Sequence, residues 1–261
     1  MRARRATLPA CTGPGPGYLL ASVLAVEERI EQVPAADGSG SMAAHVAVPD
    51  TGRGPGIVVI HEIFGVNEYI TGTCRRLAEL GYVALAPDLF WRVAPGLALD
   101  HDEEGLTRAM ENISRFDAEA AVGDVAASFD HLRSLPEVQG GVGVLGFCLG
   151  GTLAYLAAAA ASPDVAVSYY GSGVPAAVDQ AEHIGCPVLI HFGGDDPYIP
   201  REQIEAARAA LADRPGVTFV VHEGAGHAFD NSLAPMFHDP VAADAAWRQT
   251  ADFLREALPA G

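Results

Sequence analysis

The sequence contains no lysine, and all 16 of its basic residues are arginines, set against 33 acidic residues among 261. The resulting net charge of -17 repels polyphosphate and anionic lipid surfaces. Uninterrupted apolar runs are also short, and none reaches the roughly 18 residues that a membrane span needs. We therefore expect neither nucleic acid nor membrane as a partner.

Cysteine is scarce, with four residues and no C-x-x-C pair; they are Cys11, Cys74, Cys148 and Cys186. A chain of this length, 49% hydrophobic, can build a core without disulfides. These features predict a reducing compartment, and we expect the protein to be cytoplasmic.

The length fits one large domain, which we place at residues 27–261. Residues 1–26 are predicted to be a disordered extension, because Pro9, Pro14 and Pro16 interrupt the apolar stretch that an export signal needs. A wrongly chosen start codon would explain the same residues, and an export signal is the less favoured alternative.

Predicted strands and helices alternate along the domain, after an opening hairpin around the turn-like D-G-S-G at 37–40. The continuous β-branched run at 57–60 is typical of a strand buried on both faces. The predicted strands are 29–33, 43–48, 57–60, 82–86, 142–145, 165–170, 188–192 and 217–221. The predicted helices are 69–80, 103–116, 118–135, 151–161, 201–211 and 241–258. The pattern indicates an α/β fold, with a mostly parallel sheet covered by helices on both faces. The long connection at 88–102 is a candidate cap over the site.

The motif G-F-C-L-G-G at 146–151 lies between a predicted strand and a predicted helix. It has the G-x-C-x-G form of a nucleophile elbow, in which a sharp turn lifts the nucleophile above the sheet. The N–H of Leu149 can bind a developing oxyanion, and the helix dipole favours a thiolate at Cys148. The alternative is a glycine-rich turn that carries a buried structural cysteine.

A candidate acid and base follow two later strands, in the order nucleophile, acid, histidine. G-G-D-D-P occupies 193–197, and E-G-A-G-H-A-F occupies 223–229. Both segments follow the carboxyl ends of predicted strands, where α/β sheets place their ligands. Cys148 would attack, His227 would take its proton, and Asp196 would orient the imidazole.

Each assignment has a competing interpretation. An aspartate at 195 or 196 could cap the helix that begins near residue 201 or shape the turn before it, and His227 could bond to backbone. The competing histidines at 61, 191 and 222 lie in or beside predicted strands, which favours His227.

A fourth feature is H-E-I-F-G at 61–65, directly after the strand at 57–60. In the α/β-hydrolase fold this loop supplies the second oxyanion N–H, which here would be that of Ile63. Glu62 ends an apolar run and is either exposed at the loop start or present for a functional reason.

These segments, together with A-P-D-L at 86–89, resemble the dienelactone hydrolase (carboxymethylenebutenolidase) family from about residue 28 to the carboxyl terminus. The resemblance implies the α/β-hydrolase fold, a Cys148, Asp196, His227 triad and oxyanion donors at Ile63 and Leu149. It also implies that Glu62 approaches the thiol and assists its deprotonation when substrate binds. No metal or organic cofactor is implied.

The chain departs from the family at two substrate-binding positions. Members that hydrolyse dienelactone hold its carboxylate with two arginines, where this chain has Asn231 and, on the helix after A-P-D-L, Thr107. An amide does not replace a bidentate guanidinium. A one-residue shift in the alignment could let Arg108 serve as the second arginine. Helix geometry, however, would point its side chain about 100° away from that of Thr107. Phe64, Arg108 and Asn231 are the candidate substrate-binding residues, and a neutral lactone or ester is at least as plausible a substrate as dienelactone.

Two classes of function remain open. The first is a cysteine hydrolase of a small lactone or ester, with acyl transfer and thioester hydrolysis as uses of the same triad. The second is a non-catalytic protein of the same fold that binds a small molecule or a partner. The missing arginines favour the second class and the intact triad favours the first. A monomer or a small homo-oligomer is expected in either case.

Overall fold

The computed structural model describes residues 26–260, so nearly all of the predicted amino-terminal extension lies outside the described residues. One eight-stranded sheet runs through these residues, in the order β1-β2-β4-β3-β5-β6-β7-β8. The strands are β1 (Glu27–Pro34), β2 (Ser41–Val48), β3 (Gly54–Ile60), β4 (Val83–Pro87), β5 (Val138–Phe147), β6 (Ala166–Tyr169), β7 (Val188–Gly193) and β8 (Val217–His222). The β1/β2 and β2/β4 pairs are antiparallel, and the pairs from β4 to β8 are parallel. The predicted α/β architecture is confirmed.

Burial along the strands explains the sequence pattern. Every residue of β3 is buried, as expected for a strand covered on both faces, and its sequence is accordingly β-branched rather than alternating. At the edge of the sheet, β1 alternates between exposed and partly buried residues. It pairs with β2 from Glu27 opposite Val48 to Pro34 opposite Ser41, which confirms the predicted hairpin.

Six α-helices cover the sheet, and their amino termini carry the side-chain caps that the sequence offers. The helices are α1 (Glu68–Glu79), α2 (Glu103–Ile113), α3 (Ala118–Ser134), α4 (Leu149–Ala160), α5 (Arg201–Leu211) and α6 (Pro240–Ala257). Asn67, Asp102, Asp117 and Asp239 accept hydrogen bonds from the first turns of α1, α2, α3 and α6.

Several element boundaries differ from prediction, by up to four residues at the start of β5, and one element was not predicted. Helix α4 begins at Leu149, two residues earlier than expected, because the turn at Cys148 leads directly into it. Helix α2 ends at Ile113, three residues early, and short-range bonds such as Phe116 N–H to Ile113 O close its last turn. A kinked 3₁₀ segment, Val174–His183, has no counterpart in the predicted pattern.

The core lies on both faces of the sheet. On one face, Val125 and Phe129 of α3 pack with Leu153 of α4 and Ile204 of α5. On the other face, side chains of α1 and α6 pack against the strands. The sheet is thus a layer between two helical layers, and the carboxyl ends of its parallel strands face one edge, where the predicted site residues follow.

The connection between β4 and α2 runs along the loop that follows β3. Leu99 N–H donates to Phe64 O at 2.9 Å, and Val66 N–H donates to Leu97 O at 3.1 Å. Gly65, with φ of 77°, allows this contact, since a Cβ there would lie 2.0 Å from Leu97 O. The predicted cap segment is therefore tied to the loop that carries Glu62.

Candidate active site

Cys148 lies at a sharp turn between β5 and α4, with φ of 53° and ψ of -114°. A Cβ on Gly146 would lie 2.0 Å from Gly150 O, and one on Gly150 would lie 2.2 Å from Ile60 O. Only glycine fits at both positions, which is the physical reason for the G-x-C-x-G pattern. The strained turn places a half-buried sulfur at the amino terminus of α4.

The three predicted triad side chains form one continuous chain of contacts. His227 Nε2 lies 3.1 Å from Cys148 Sγ, and His227 Nδ1 lies 2.7 Å from Asp196 Oδ2. The second oxygen of the fully buried Asp196 side chain accepts from the N–H groups of Tyr198 and Ile199, at 2.8 and 3.2 Å. Asp196 thus shapes its own turn and contacts the imidazole at once, but it does not cap α5, whose N-cap is Pro200 and has no side-chain hydrogen bond.

The environment of His227 favours its protonated form. Burial opposes the charge, but hydrogen bonds with Asp196 and Cys148 outweigh it and raise the pKa of His227 to about 10. Two aromatic rings flank the imidazole: Tyr170 and Tyr198 each have a ring centroid 5.2 Å from that of His227. At neutral pH the ring therefore presents an Nε2–H to the sulfur.

The predicted oxyanion donors are the residue that follows Cys148 and a residue of the loop that follows β3. Leu149 is the first residue of α4, where a backbone N–H has no partner within the helix. Within residues 26–260, neither the Leu149 N–H nor the Ile63 N–H donates to any protein acceptor. Both groups are available to a substrate oxygen.

Glu62 is buried, with 2% of its surface exposed. Its Oε2 lies 3.0 Å from His101 Nε2 and 2.9 Å from Asn231 Nδ2. Of the two interpretations of Glu62, simple exposure at the loop start is therefore wrong, because two side chains hold the carboxylate inside the protein.

This chain is similar in sequence to known proteins of one family. Residues 42–258 match the model of the dienelactone hydrolase family. The chain belongs to the dienelactone hydrolase family. It is 37% identical to the carboxymethylenebutenolidase of Pseudomonas putida over 215 residues, which cover 82% of this chain and 91% of the relative. It is 34% identical over 219 residues to carboxymethylenebutenolidase 1 of Cupriavidus pinatubonensis, covering 82% and 92% of the two chains.

Solved structures of the family superpose on the same fold. A dienelactone hydrolase-like promiscuous phosphotriesterase from metagenomic libraries matches with a TM-score of 0.74 and 26% identity, covering 88% of this chain and 99% of the other. The dienelactone hydrolase of Anabaena variabilis matches with a TM-score of 0.64 and 21% identity, over 89% and 99% of the chains, which supports the fold alone. The α/β-hydrolase fold is confirmed, and the family is one of lactone and ester hydrolases, to which this protein belongs.

The three candidate substrate-binding residues occupy different environments in this dienelactone hydrolase family member. Asn231 is fully buried and contacts Glu62. Phe64 is 8% exposed and packs on His101, with 3.9 Å between ring centroids. Arg108 is exposed on α2 and, within the described residues, forms no ion pair. Its neighbour Thr107 is also exposed and bonds to Glu103 O.

The competing histidines are engaged elsewhere. His61 accepts from Leu89 N–H at its Nε2 and donates from Nδ1 to Glu62 O, so its ring fixes two loops. His191 and His222 lie 3.1 Å apart through their ring nitrogens inside the protein. Burial lowers the pKa of all three. Each therefore has a structural partner away from Cys148.

His101, Tyr170 and Tyr198 were missed by the sequence interpretation. Tyr170 directly follows β6 and has a φ of 39°, a position that alternation of strands and helices does not single out. Tyr198 follows the G-G-D-D motif by two residues, so proximity to Asp196 was the available signal. His101 lies at the end of an irregular connection, and no pattern points to it.

The described residues hold no group of three or more His, Cys, Asp or Glu side chains arranged for a metal ion. Over the same range, no helix has the length and apolar character to cross a bilayer.

Proposed function

We propose that Cys148, His227 and Asp196 hydrolyse a small lactone or ester through a covalent acyl-enzyme. The observation that carries the proposal is the unbroken chain from Asp196 Oδ2 through His227 to Cys148 Sγ, with contacts of 2.7 and 3.1 Å. A nucleophile in contact with a base that is itself oriented by an acid is the arrangement that acyl transfer requires.

Acylation begins when the Cys148 sulfur attacks the carbonyl carbon and the carbonyl electrons move to oxygen. The N–H groups of Ile63 and Leu149 stabilise that oxyanion. When the electrons return, the carbon–oxygen bond of the ester breaks and the departing alkoxide takes the Nε2 proton of His227. In a lactone, the alcohol stays attached to the acyl group.

Deacylation reverses the roles. A water molecule gives its proton to His227 as its oxygen attacks the thioester carbon, and the Cys148 thiolate leaves and takes back the proton that Glu62 accepted before acylation. The product is a carboxylic acid, and Asp196 stabilises the imidazolium in both half-reactions. A thiol nucleophile has to stay reduced, so we infer that the protein works in a reducing, cytoplasmic compartment.

Glu62 assists removal of the thiol proton when substrate binds, a role that follows from the family. Its burial at the site and its free second oxygen support this role: within the described residues, only Oε2 accepts hydrogen bonds. That second oxygen has lone pairs with which to accept a proton.

The substrate is uncharged near its acyl group. Asn231, which stands where dienelactone-hydrolysing relatives have an arginine, is an amide already engaged by Glu62. A neighbouring cavity of about 290 Å³ is lined by His101 together with Glu68, Asp100 and Asp102. A substrate carboxylate would meet these acidic groups without a cation to hold it, so we expect neutral lactones and esters to be preferred over dienelactone.

The decisive experiment is a substrate panel on the wild type and Cys148→Ala. The panel contains dienelactone, neutral lactones, p-nitrophenyl esters, a thioester and, because a structural relative is a phosphotriesterase, a neutral phosphotriester. We expect ester and lactone hydrolysis that disappears in Cys148→Ala. Undiminished turnover by a folded Cys148→Ala variant would exclude the proposal.

The other functional class is tested by the same protein samples. A non-catalytic binding protein would hydrolyse no member of the panel, and its Cys148 would resist iodoacetamide near neutral pH. Acyl transfer would appear as faster release of p-nitrophenol and a new ester when an alcohol acceptor is added.

A further inference from the structure

His101 reaches Glu62 from a different part of the chain, and backbone hydrogen bonds fix the two segments to each other. Leu99 N–H donates to Phe64 O, two residues away from both partners. Asn67 Nδ2 donates to Leu99 O at 3.1 Å, which ties the start of α1 to the same strand-like stretch. The His101 ring packs on Phe64, and its side chain is only 5% exposed. These contacts hold the ring beside Glu62, with Nε2 3.0 Å from Oε2.

The hydrogen-bond network assigns a donor to His101 Nε2. Leu233 N–H donates to Asn231 Oδ1 at 3.0 Å, which fixes the amide so that its NH₂ group points at Glu62. Glu62 Oε2, Asn231 Nδ2 and His101 Nε2 form a triangle with sides of 2.9, 3.0 and 3.0 Å. A lone pair on Nε2 would face the carboxylate oxygen, and two acceptors form no hydrogen bond. With a proton on Nε2, Oε2 accepts two hydrogen bonds, one from His101 and one from Asn231.

We propose that His101 is a positioning residue for Glu62: it holds Oε2 through its Nε2–H, and thereby leaves Oε1 as the oxygen that receives the Cys148 proton. The inference rests on the role of Glu62 in the proposed function. A buried carboxylate with freely rotating oxygens would be a poorly placed base, and a carboxylate without donors would be costly to bury. His101 supplies both the orientation and half of the hydrogen bonding.

Two variants separate the donor of His101 from its packing. His101→Phe keeps an aromatic ring on Phe64 but has no N–H. His101→Gln loses the ring but can place an amide N–H near the position of Nε2. If the donor is what matters, His101→Phe lowers kcat for a neutral p-nitrophenyl ester by about 10- to 100-fold, within the contribution of a positioned acid or base. His101→Gln recovers most of that loss, and KM changes little in either variant.

The matched control is His131→Phe. His131 Nε2 contacts Glu31 Oε2 at 2.7 Å, so this variant removes the same kind of histidine–glutamate contact between α3 and β1. It should keep wild-type kcat and KM. Thermal melting curves of all variants verify that the folded fraction is equal.

A double-mutant cycle with Glu62→Gln tests the coupling itself. We expect Glu62→Gln to lower kcat to a similar degree, and His101→Phe to have no further effect in the Glu62→Gln background. An equal loss in both backgrounds, a change in KM alone, or full activity of Glu62→Gln would each overturn the inference. If Cys148→Ala stays active, the proposed function fails instead; if Cys148→Ala is inactive and the cycle shows no coupling, only the role of His101 fails.

Discussion

The cysteine side chain occupies two different environments at Cys148 and at Cys74. Cys74 lies in the middle of α1, fully buried against the sheet, and burial raises the pKa of its thiol. Cys148 lies at the strained turn before α4, half-buried, with the His227 imidazole 3.1 Å from its sulfur. The difference teaches that backbone geometry and one neighbouring ring decide which thiol can react, because the residue type is identical.

The largest expected effect is the difference in catalytic activity between variants that lack one or the other of these two thiols. Cys148→Ala removes the nucleophile, and ester hydrolysis should fall on the order of 10⁴- to 10⁶-fold, as when a triad nucleophile is removed from other hydrolases. Cys74→Ala should leave kcat/KM unchanged. Steady-state kinetics on a p-nitrophenyl ester measure both, and equal losses in the two variants would contradict the assignment.

A smaller loss is expected when the environment of Cys148 is changed while its sulfur stays. Asp196→Asn removes the charge that orients His227 and permits the wrong imidazole tautomer, for which a loss of about 10⁴-fold in kcat is known in serine triads. The matched variant is Asp195→Asn, the exposed neighbour in the same turn, which should retain activity. An inactive Asp195→Asn together with an active Asp196→Asn would show that Asp195, and not Asp196, orients His227.

Much of this arrangement follows from local sequence. The buried run of β3 and the end of α5 at Leu211 were predictable, because periodicity and helix signals act within a few residues. The Cys148, Asp196 and His227 segments were predictable too, because each follows a strand and the sheet brings strand ends together. The 3₁₀ segment at 174–183 was not, since its kink at Ala177 has no periodic signal.

His101 shows where sequence reasoning stops. Its contact with Glu62 joins residues 39 positions apart, through an irregular connection whose path depends on hydrogen bonds to the 62–67 loop. No propensity or motif encodes such a path. The sequence left Glu62 either exposed at the loop start or present for a functional reason, and its burial and its partners emerged only from the tertiary structure.

Thiol labelling compares the cysteines without relying on turnover. In a Cys11→Ser background, which removes a thiol outside the described residues, iodoacetamide at pH 7.5 should modify Cys148 at least about 100-fold faster than Cys74, because reactivity follows the thiolate fraction. Burial also raises the pKa of Cys186, to about 11, so it should react slowly as well. Mass spectrometry of time points gives each rate, and a Cys148 rate similar to that of Cys74 or Cys186 would refute the comparison.

The pH dependence of stability gives a smaller, distinct signature of the Cys148 environment. The hydrogen bonds that overcome burial raise the pKa of His227 to about 10, whereas an unfolded histidine titrates near about 6.5. The folded state then holds a proton that the unfolded state has lost, so this contribution is complete below pH 6.5 and disappears as the pH rises toward 10. Cys74 adds a similar decline only above about pH 8.5, where an unfolded thiol ionises.

Urea unfolding at pH 6.5 and pH 8 isolates His227 only through the difference between the wild type and His227→Gln, because the lowered pKa values of His61, His191 and His222 raise stability with pH in both proteins. Over this interval the free energy of unfolding of the wild type should fall relative to that of His227→Gln. A wild type whose stability rises from pH 6.5 to pH 8 while that of His227→Gln does not would contradict the raised pKa.

The smallest expected effect is a change in the free energy of unfolding when serine replaces Cys74, compared with the same substitution at Cys148. Cys74→Ser places a hydroxyl in an apolar region, and even with a hydrogen bond to the preceding helical turn it should lower the free energy of unfolding by about 1–2 kcal/mol. Activity per folded molecule should stay at the wild-type level. Cys148→Ser should instead keep the free energy of unfolding of the wild type, because the half-buried elbow tolerates a hydroxyl. It should lose activity, because a serine at this site lacks the acidity of a thiol. The denaturant midpoint should therefore fall in Cys74→Ser but not in Cys148→Ser, whereas kcat should fall in Cys148→Ser but not in Cys74→Ser. Parallel changes in the two variants would contradict the difference between the elbow and the core of α1.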